Sequence, residues 1–547
     1  MNAYRRPASP ALPSSAPHER FDADTVARWR SAGYWTDERI GWTLERRAAA
    51  WPGRTAVITA DGSTTYAQVQ RLASAIARTL VARGVRSGDV VCWMLPTAPE
   101  AIAVASAIWR IGAVSAPLVP IYGLREVTSI LDQLRPVALI TNAEVRGRDL
   151  PGELDSALST IGHRPSARLL VHGRTSGWES ADAEGAGSLP AAVQPGAADD
   201  PSLVLFTSGS ESVPKGVLHT VAGITHEVRA CVGEWGVTFR DRMFMASPMT
   251  HITGLLQGFL IPARVGAAAV LMERWDASEA VSLIERHRAT YMAGATPFLR
   301  ELLQAYAASG RDASALVQYC CGGAAVPPQL IREADAFGVS AYRAWGMTEL
   351  PTSTLSSELD PLDARAETDG RLAPGVELRV LDEDGNDLPA GEVGALHLRA
   401  PEMMVGYLRA DLTRAVLRPG GWLDTGDVGW IGDDGYVRVS GRTKDIINRG
   451  GEKFSAREIE ELVSQHPDVT AVAVVAVPGG RLGERIGALV VSPRPDLTVA
   501  ELGAFVTALG AAKQKQPEHL VLVDEIPSTS TGKVDKRAAL GLFPADL

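Results

Sequence analysis

From Thr64 the chain reads TTYAQVQRLASAIARTLVARGVRSGDVVCWMLP. Apolar residues recur at helical spacing as far as Gly84, then run together through Val90–Met94 as they do in a strand buried on both faces. The next segment, AIAVASAIWRIGAVSAPLVP, repeats the order: helix, Gly112, strand. The same cadence returns in PVALITNA, in ASEAVSLIERHRATYMAGATP and in PPQLIREADAFGVSAYRAWGMTE. Such alternation predicts an α/β fold, with mostly parallel sheets and crossover helices covering both faces. Residues 173–201 are rich in Gly, Ala, Ser and Asp and read as a surface loop.

After Asp369 the pattern shortens. GVELRVLDEDGNDLPAGEVGALHLRA reads as strands with a hairpin at Asp384-Gly385, and DDGYVRVSGRTKD as a second hairpin. These define a β subdomain over about 370–443. The last stretch places two helices, SAREIEELVSQ and TVAELGAFVTALG, around the strand-like VTAVAVVAVPG and ERIGALVVS, enough for a small α+β domain. The expected division is a disordered tail at 1–22, a large domain at 23–443 and a small domain at 444–547, with the boundary at Lys444.

Composition narrows the classes. A chain of 547 residues, 46% hydrophobic and 22% charged, is too long for one core and too apolar for disorder. A net charge of -10 argues against nucleic acid or an anionic membrane as the main partner. The four cysteines, Cys92, Cys231, Cys320 and Cys321, have no metal-binding spacing, and adjacent Cys320 and Cys321 do not favour a disulfide, so a reducing cytoplasm is expected. The N-terminal MNAYRRPASPALPSSAPHER lacks the apolar run of a signal peptide. Ala101–Tyr122, the most apolar stretch, contains Arg110 and two prolines and reads as a buried helix and strand, not a transmembrane segment.

Several polar islands interrupt the apolar text. In LVLFTSGSESVPKGVLHT, glycines and small hydroxyl residues follow a strand and lead to Lys215, the composition of a backbone cradle for phosphate. It is not a Walker loop: counted from Gly209, Pro214 stands where the second glycine belongs and Gly216 where the metal-binding hydroxyl belongs. Taken alone, the loop reads equally well as a surface turn. In AYRAWGMTEL, Glu349 and Thr348 offer a carboxylate for Mg²⁺ and a hydroxyl for phosphate, and Trp345 a flat face for a base. Asp427 in DTGD is the candidate for a ribose contact, since a carboxylate accepts two hydroxyl hydrogen bonds at once. Alone, it reads as a turn residue, and Lys533 in TSTGKVDK reads as a solvated charge.

Together these islands, with SPMTHITG, CCGGAAVPP and SGRTKDIINRGGEKFSAREIE, resemble the adenylate-forming superfamily of acyl-CoA synthetases, nonribosomal adenylation domains and luciferases, over about residues 23–537. The likeness is greatest to the cyclohexanecarboxylate and medium-chain acyl-CoA ligase branch. It implies that Thr207, Ser208, Gly209, Ser210, Pro214, Lys215 and Gly216 form the phosphate-binding signature, from which Glu211 and Ser212 depart. A carboxylate at 211 is expected to face away from the phosphates, because it repels them at close range.

The resemblance further implies that Glu349 binds Mg²⁺, Thr348 contacts phosphate, and Trp345 with Gly346 lies against adenine opposite Gly322–Pro327, which includes Gly323 and Ala324. Asp427 and Arg442 would hold the ribose. Lys533 would enter from a mobile C-terminal domain and bridge the acid's carboxylate and the nucleotide. Lys444 would be the hinge, Gly450 and Gly451 would let pantetheine pass, and His251 would line the acid pocket. Ile252 stands where dihydroxybenzoate-activating relatives carry asparagine, which with Leu255, Leu256 and Phe259 implies an apolar acid. No aspartate for an α-ammonium is evident at PMTHITG.

The function expected is a carboxylate–CoA ligase using ATP, Mg²⁺ and CoA, with Lys533, Lys215, Thr348, Glu349 and His251 as the catalytic set. Two rivals stand beside it: a ligase that loads a carrier-protein phosphopantetheine, and a nucleotide-binding pseudoenzyme suggested by Glu211 and Ser212. Retention of Lys215, Glu349, Asp427 and Lys533 argues against the second.

Overall fold

A computed structural model describes residues 12–207, 214–323, 326–449, 452–479, 483–528 and 534–544. Two large sheets organise the chain before residue 370. The first has seven strands in the order Ser340–Ala344, Gln318–Gly322, Tyr291–Gly294, Arg242–Met245, Ala268–Leu271, Thr55–Thr59 and Gly62–Thr65, parallel except for the last pair. The second has eight, in the order Gly406–Tyr407, Lys215–Thr220, Pro201–Thr207, Val114–Pro117, Val90–Met94, Ala138–Thr141, Ala167–Leu170 and Glu179–Ser180. Its first three strands pair antiparallel and the rest parallel.

Side-chain alternation decides which layer each residue joins. Met243 and Met245 pack inward with Val91, Trp93, Leu203 and Leu205 in one core between the sheets, shared with helices Tyr66–Ala82, Pro99–Arg110 and Val221–Glu234. Phe244 points the other way, to helices Ala277–His287, Thr296–Ser309 and Pro328–Ala336. Val90, Cys92 and Met94 likewise face helices Leu124–Leu134 and Leu150–Thr160. The result is five layers, α-β-α-β-α. The helix Tyr66–Ala82 starts at a reciprocal Thr65/Gln68 capping box, and Pro99 pre-sets the first turn of Pro99–Arg110. The apolar stretch read as helix and strand is this helix followed by Val114–Pro117.

The antiparallel sheet expected after Asp369 is formed by Glu377–Leu381, Gly394–Arg399, Leu417–Arg418, Trp422–Ile431 and Val437–Arg442. Beyond it, Ala471–Pro478, Glu484–Val491 and His519–Leu522 make a three-stranded sheet with its own core, packed on helices Ala456–Val463 and Val499–Ala508. The packed chain begins before residue 23, so the expected tail is too long. Pro17–Glu19 forms a turn, and Phe21, 3% exposed, meets Trp29 and Trp35 edge-on. The Pro/Ser/Ala composition concealed several anchors: besides Phe21, Pro17 is buried, Leu12 packs on a core, and Arg20 Nη1 donates to Met404 O at 3.2 Å. Among the described residues no helix is long and apolar enough to cross a membrane. All four cysteines are buried free thiols.

Candidate functional site

Thr348 and Glu349 form the two-residue tip of a tight reversal. Met347 N donates to Leu350 O at 2.9 Å, and Leu350 N returns to Met347 O at 3.1 Å. Gly346 leads into it because a Cβ there would lie 2.0 Å from the Pro351 carbonyl oxygen. The reversal follows the strand Ser340–Ala344 at its carboxyl end. His251 starts the helix Ile252–Leu255 on the loop after Arg242–Met245, and Gly323 follows Gln318–Gly322. All three positions therefore follow the carboxyl ends of parallel strands of the seven-stranded sheet, where loops gather ligand-binding groups. Gly322 pairs with Ala344, which sets Gly323 beside Trp345.

The tip is held from below by the eight-stranded sheet. His219 Nε2 donates to Thr348 O at 2.8 Å, and Met404 N donates to Glu349 O at 2.8 Å. A carbonyl acceptor requires the Nε2–H tautomer, and burial pushes the His219 pKa down to about 4, so the ring stays neutral. The Tyr407 hydroxyl donates to Glu349 Oε1 at 2.5 Å, while Lys215 Nζ sits 6.0 Å from the centre of the Tyr407 ring. Val217 pairs with Tyr407 across the antiparallel edge, which fixes this spacing. Lys215 itself opens its strand directly opposite Thr207. Tyr407 thus stands between the expected metal carboxylate and the expected phosphate lysine.

On the other flank Asp427 and Arg442 are cross-strand partners. Arg442 Nε donates to Asp427 Oδ1 at 2.9 Å, and the Trp345 indole N–H donates to Oδ2 at 2.9 Å. Each carboxylate oxygen keeps acceptor capacity for a hydroxyl. Trp345 is only 8% exposed, so the ring offers little open face and its N–H orients the aspartate. Lys444, in the turn Thr443–Asp445, completes a cationic group: burial and then the neighbouring Arg442 depress its pKa, with Lys215 adding to the effect and Asp445 and Asp427 opposing it. Lys215, Arg442 and Lys444 thus stand among the carboxylates Glu349, Asp427 and Asp445, a mixed cluster in which a phosphate would find cations and a metal ion or hydroxyl would find carboxylates.

Beneath the reversal lies a buried acidic pair. Thr352 Oγ1 and Cys231 Sγ donate to Glu227 Oε1, and Glu402, 1% exposed, has Oε2 3.4 Å from His226 Nε2. Burial pushes both carboxyls up, and the charge of Glu227 raises Glu402 further. Both are thereby shifted towards the neutral acid.

No three His, Cys, Asp or Glu side chains gather as a metal cage among the described residues. One carboxylate at Glu349, oriented by Tyr407, matches the habit of Mg²⁺, which is commonly held by one or two carboxylates plus substrate phosphates and water. Ser208, Gly209, Ser210, Glu211, Ser212, Ala324, Gly450, Gly451 and Lys533 lie outside the described residues.

Residues 44–408 match the AMP-binding enzyme family, and 458–533 match the C-terminal domain of AMP-binding enzymes. The chain belongs to this family. A medium-chain fatty-acid–CoA ligase of Escherichia coli K12 is 34% identical over 523 residues, covering 94% of this chain and 92% of the relative. A salicyl-AMP ligase / salicyl-S-ArCP synthetase of Mycobacterium tuberculosis is 29% identical over 532 residues, covering 95% of this chain and 93% of that one. ATP-bound MatB of Rhodopseudomonas palustris is 26% identical with a TM-score of 0.82, covering 92% of this chain and 98% of that one. This AMP-binding enzyme thus has the adenylate-forming fold that the sequence resemblance implied.

Sequence reasoning missed Tyr407, His219, Glu227 and Glu402. Tyr407 sits in the unremarkable run MMVGYLR, and His219 closes an apolar strand. Neither carries a local signal, because each acts on residues far away in the chain.

Proposed function

We propose that this chain is an ATP-dependent, Mg²⁺-requiring acyl-CoA synthetase for an apolar carboxylic acid. The observation that supports the reading is two neighbouring arrangements, Glu349–Tyr407–Lys215 and Trp345–Asp427–Arg442, which would serve as a metal and phosphate end and a ribose end for one nucleotide. In the first half-reaction a carboxylate oxygen of the acid attacks the α-phosphorus of ATP. The α–β phosphoanhydride breaks, and acyl-AMP and pyrophosphate form. In the second, the CoA thiol, losing its proton, attacks the acyl carbonyl and expels AMP.

Positioning and electrostatics supply most of the catalysis. Lys215 and the Thr348 hydroxyl would hold the phosphates, and Glu349 would hold Mg²⁺, which when bound offsets phosphate charge. Lys533 would bridge the acid and the α-phosphate, with Lys444 as hinge and Gly450 and Gly451 as the passage for pantetheine. Asp427 and Arg442 would fix the ribose. His251 and Ile252, followed by the buried Leu255, Leu256 and Phe259, give an apolar surround for the acid's tail. The E. coli relative's name agrees with such an acid.

A second reading replaces CoA with a carrier-protein phosphopantetheine, favoured by the name of the mycobacterial relative. Exchange of labelled pyrophosphate into ATP over a panel of acids tests the first half-reaction. Transfer from the preferred acyl-AMP to CoA, set against transfer to a loaded carrier protein, separates the acceptors. No acid-dependent exchange from any acid would overturn the reading in favour of a nucleotide-binding protein without turnover.

A further inference from the structure

The helix Ala456–Val463 runs into the region matched by the family's C-terminal domain, which begins at residue 458, and its Arg457 reaches back into the large part of the molecule. Arg457 Nη2 donates to Asp369 Oδ1 at 3.2 Å, with the two side chains only 15% and 5% exposed. Asp369 Oδ1 also accepts from Arg343 Nε at 3.1 Å and Nη2 at 2.9 Å, and Oδ2 accepts from Val439 N at 2.8 Å. One carboxylate therefore lies between a guanidinium from each side of the boundary. Arg457 Nε in turn faces Glu461 Oε1 on its own helix at 3.2 Å.

That double pairing has a physical consequence. Breaking a buried ion pair is costly when it strands a charge. Here neither charge is stranded. If the C-terminal segment moves away, Asp369 keeps Arg343 and the Val439 N–H, while Arg457 keeps Glu461 and gains water. The contact is thus strong enough to favour one arrangement and cheap enough to release.

Neighbouring contacts close with it. Ser455 Oγ donates to the Ser440 carbonyl, and a Cβ at Gly441 would lie 2.7 Å from that same Oγ. Lys536 Nζ lies 3.5 Å from Asp445 Oδ2 and 3.6 Å from Glu460 Oε1, joining the turn that holds Lys444 to the same helix.

We propose that Arg457 is a positioning residue whose ion pair with Asp369 is a reversible latch, setting the pose of the C-terminal domain. Resting on the function proposed above, the latch also sets the balance between adenylation and thiol transfer, because the pose decides which C-terminal residues face the nucleotide. Neither Arg457 nor Asp369 belongs to the nucleotide or acid site.

The test uses the full chain with cysteines introduced at the exposed positions Leu359 and Leu509 for a donor–acceptor dye pair, since the native thiols are all buried. Arg457→Gln is expected to change energy transfer between the dyes. It is also expected to shift the ratio of pyrophosphate exchange to acyl-AMP-plus-CoA turnover by about tenfold, the size of effect a coupled contact gives. Arg457→Lys, which keeps the charge, should restore part of both signals. Arg457→Met, which keeps the apolar stem and lacks the charge, serves as the test variant if Arg457→Gln does not fold. Unchanged energy transfer in a folded variant would overturn the latch. Changed energy transfer with an unchanged half-reaction ratio would overturn its catalytic role. If the parent enzyme itself turns over no acid, the function proposed above fails, and the energy-transfer result still decides the latch.

Discussion

Asp427 and Arg442 face each other across adjacent strands, Nε of the arginine donating to Oδ1 of the aspartate at 2.9 Å, with Asp427 buried and Arg442 half exposed. The pair is at once an ion pair of the β sheet and the wall of the expected ribose site. A change at Asp427 therefore affects stability and nucleotide binding together.

Asp427→Ala is expected to weaken ATP by about 1–3 kcal/mol, since it removes acceptors and leaves the Trp345 N–H without its partner. Acid preference should not change. Calorimetric titration with ATP, beside pyrophosphate exchange over several acids, checks both. A changed acid ranking with normal ATP affinity would reject the ribose role.

Tyr407→Phe deletes only the hydroxyl that orients Glu349. The expected result is a several-fold rise in the Mg²⁺ concentration needed for half-maximal pyrophosphate exchange, from the loss of about 0.5–1.5 kcal/mol, with the acid's KM unaltered. Glu349→Gln should show a larger effect in the same titration. Equal metal dependence in Tyr407→Phe and the parent would dissociate Tyr407 from the carboxylate proposed to hold the metal.

His219 provides a pH test. Its pKa falls from 6.5 unfolded to about 4 folded, chiefly through burial. The unfolded chain therefore binds the extra proton between those values, so the stability His219 contributes is present above about pH 6.5 and lost as pH falls towards 4. His219→Gln should make the acid side of the stability curve shallower in that window. His226, whose pKa burial also lowers to about 4, adds slope of the same sign, and Glu227, whose pKa burial raises to about 7, adds slope of the opposite sign, so the comparison is read as the difference between parent and variant. Chemical denaturation of parent and variant across the window measures the difference, and identical slopes would contradict the assignment.

Lys533→Ala is expected to slow acyl-AMP formation by orders of magnitude and leave the reaction of preformed acyl-AMP with CoA largely intact. A charge placed on the developing mixed anhydride matters in the first step alone. Equal loss in both half-reactions, measured separately, would refute the division of labour between them.

The order of helices and strands was legible in the sequence because burial leaves a periodic record: continuous apolar runs in the central strands, helical spacing between them, and Gly at the turns. The polar islands were legible for the complementary reason. WGMTEL and DTGD break an apolar pattern, and Gly346 marks a backbone contact that excludes any side chain. What the sequence left hidden are relationships that exist only once distant strands meet. Tyr407 reaches Glu349 because the edge strand Gly406–Tyr407 joins Lys215–Thr220, and Trp345 turns its N–H to Asp427 across 82 positions of chain. Phe21 was concealed by the composition of its neighbours, and nothing in SAREIEELVSQ distinguishes Arg457 from the other charges of its amphipathic helix. Periodicity reports whether a residue is buried. Which charge meets it there is decided by strand order and domain packing, and those are set by the sum of many non-local contacts that no short window contains.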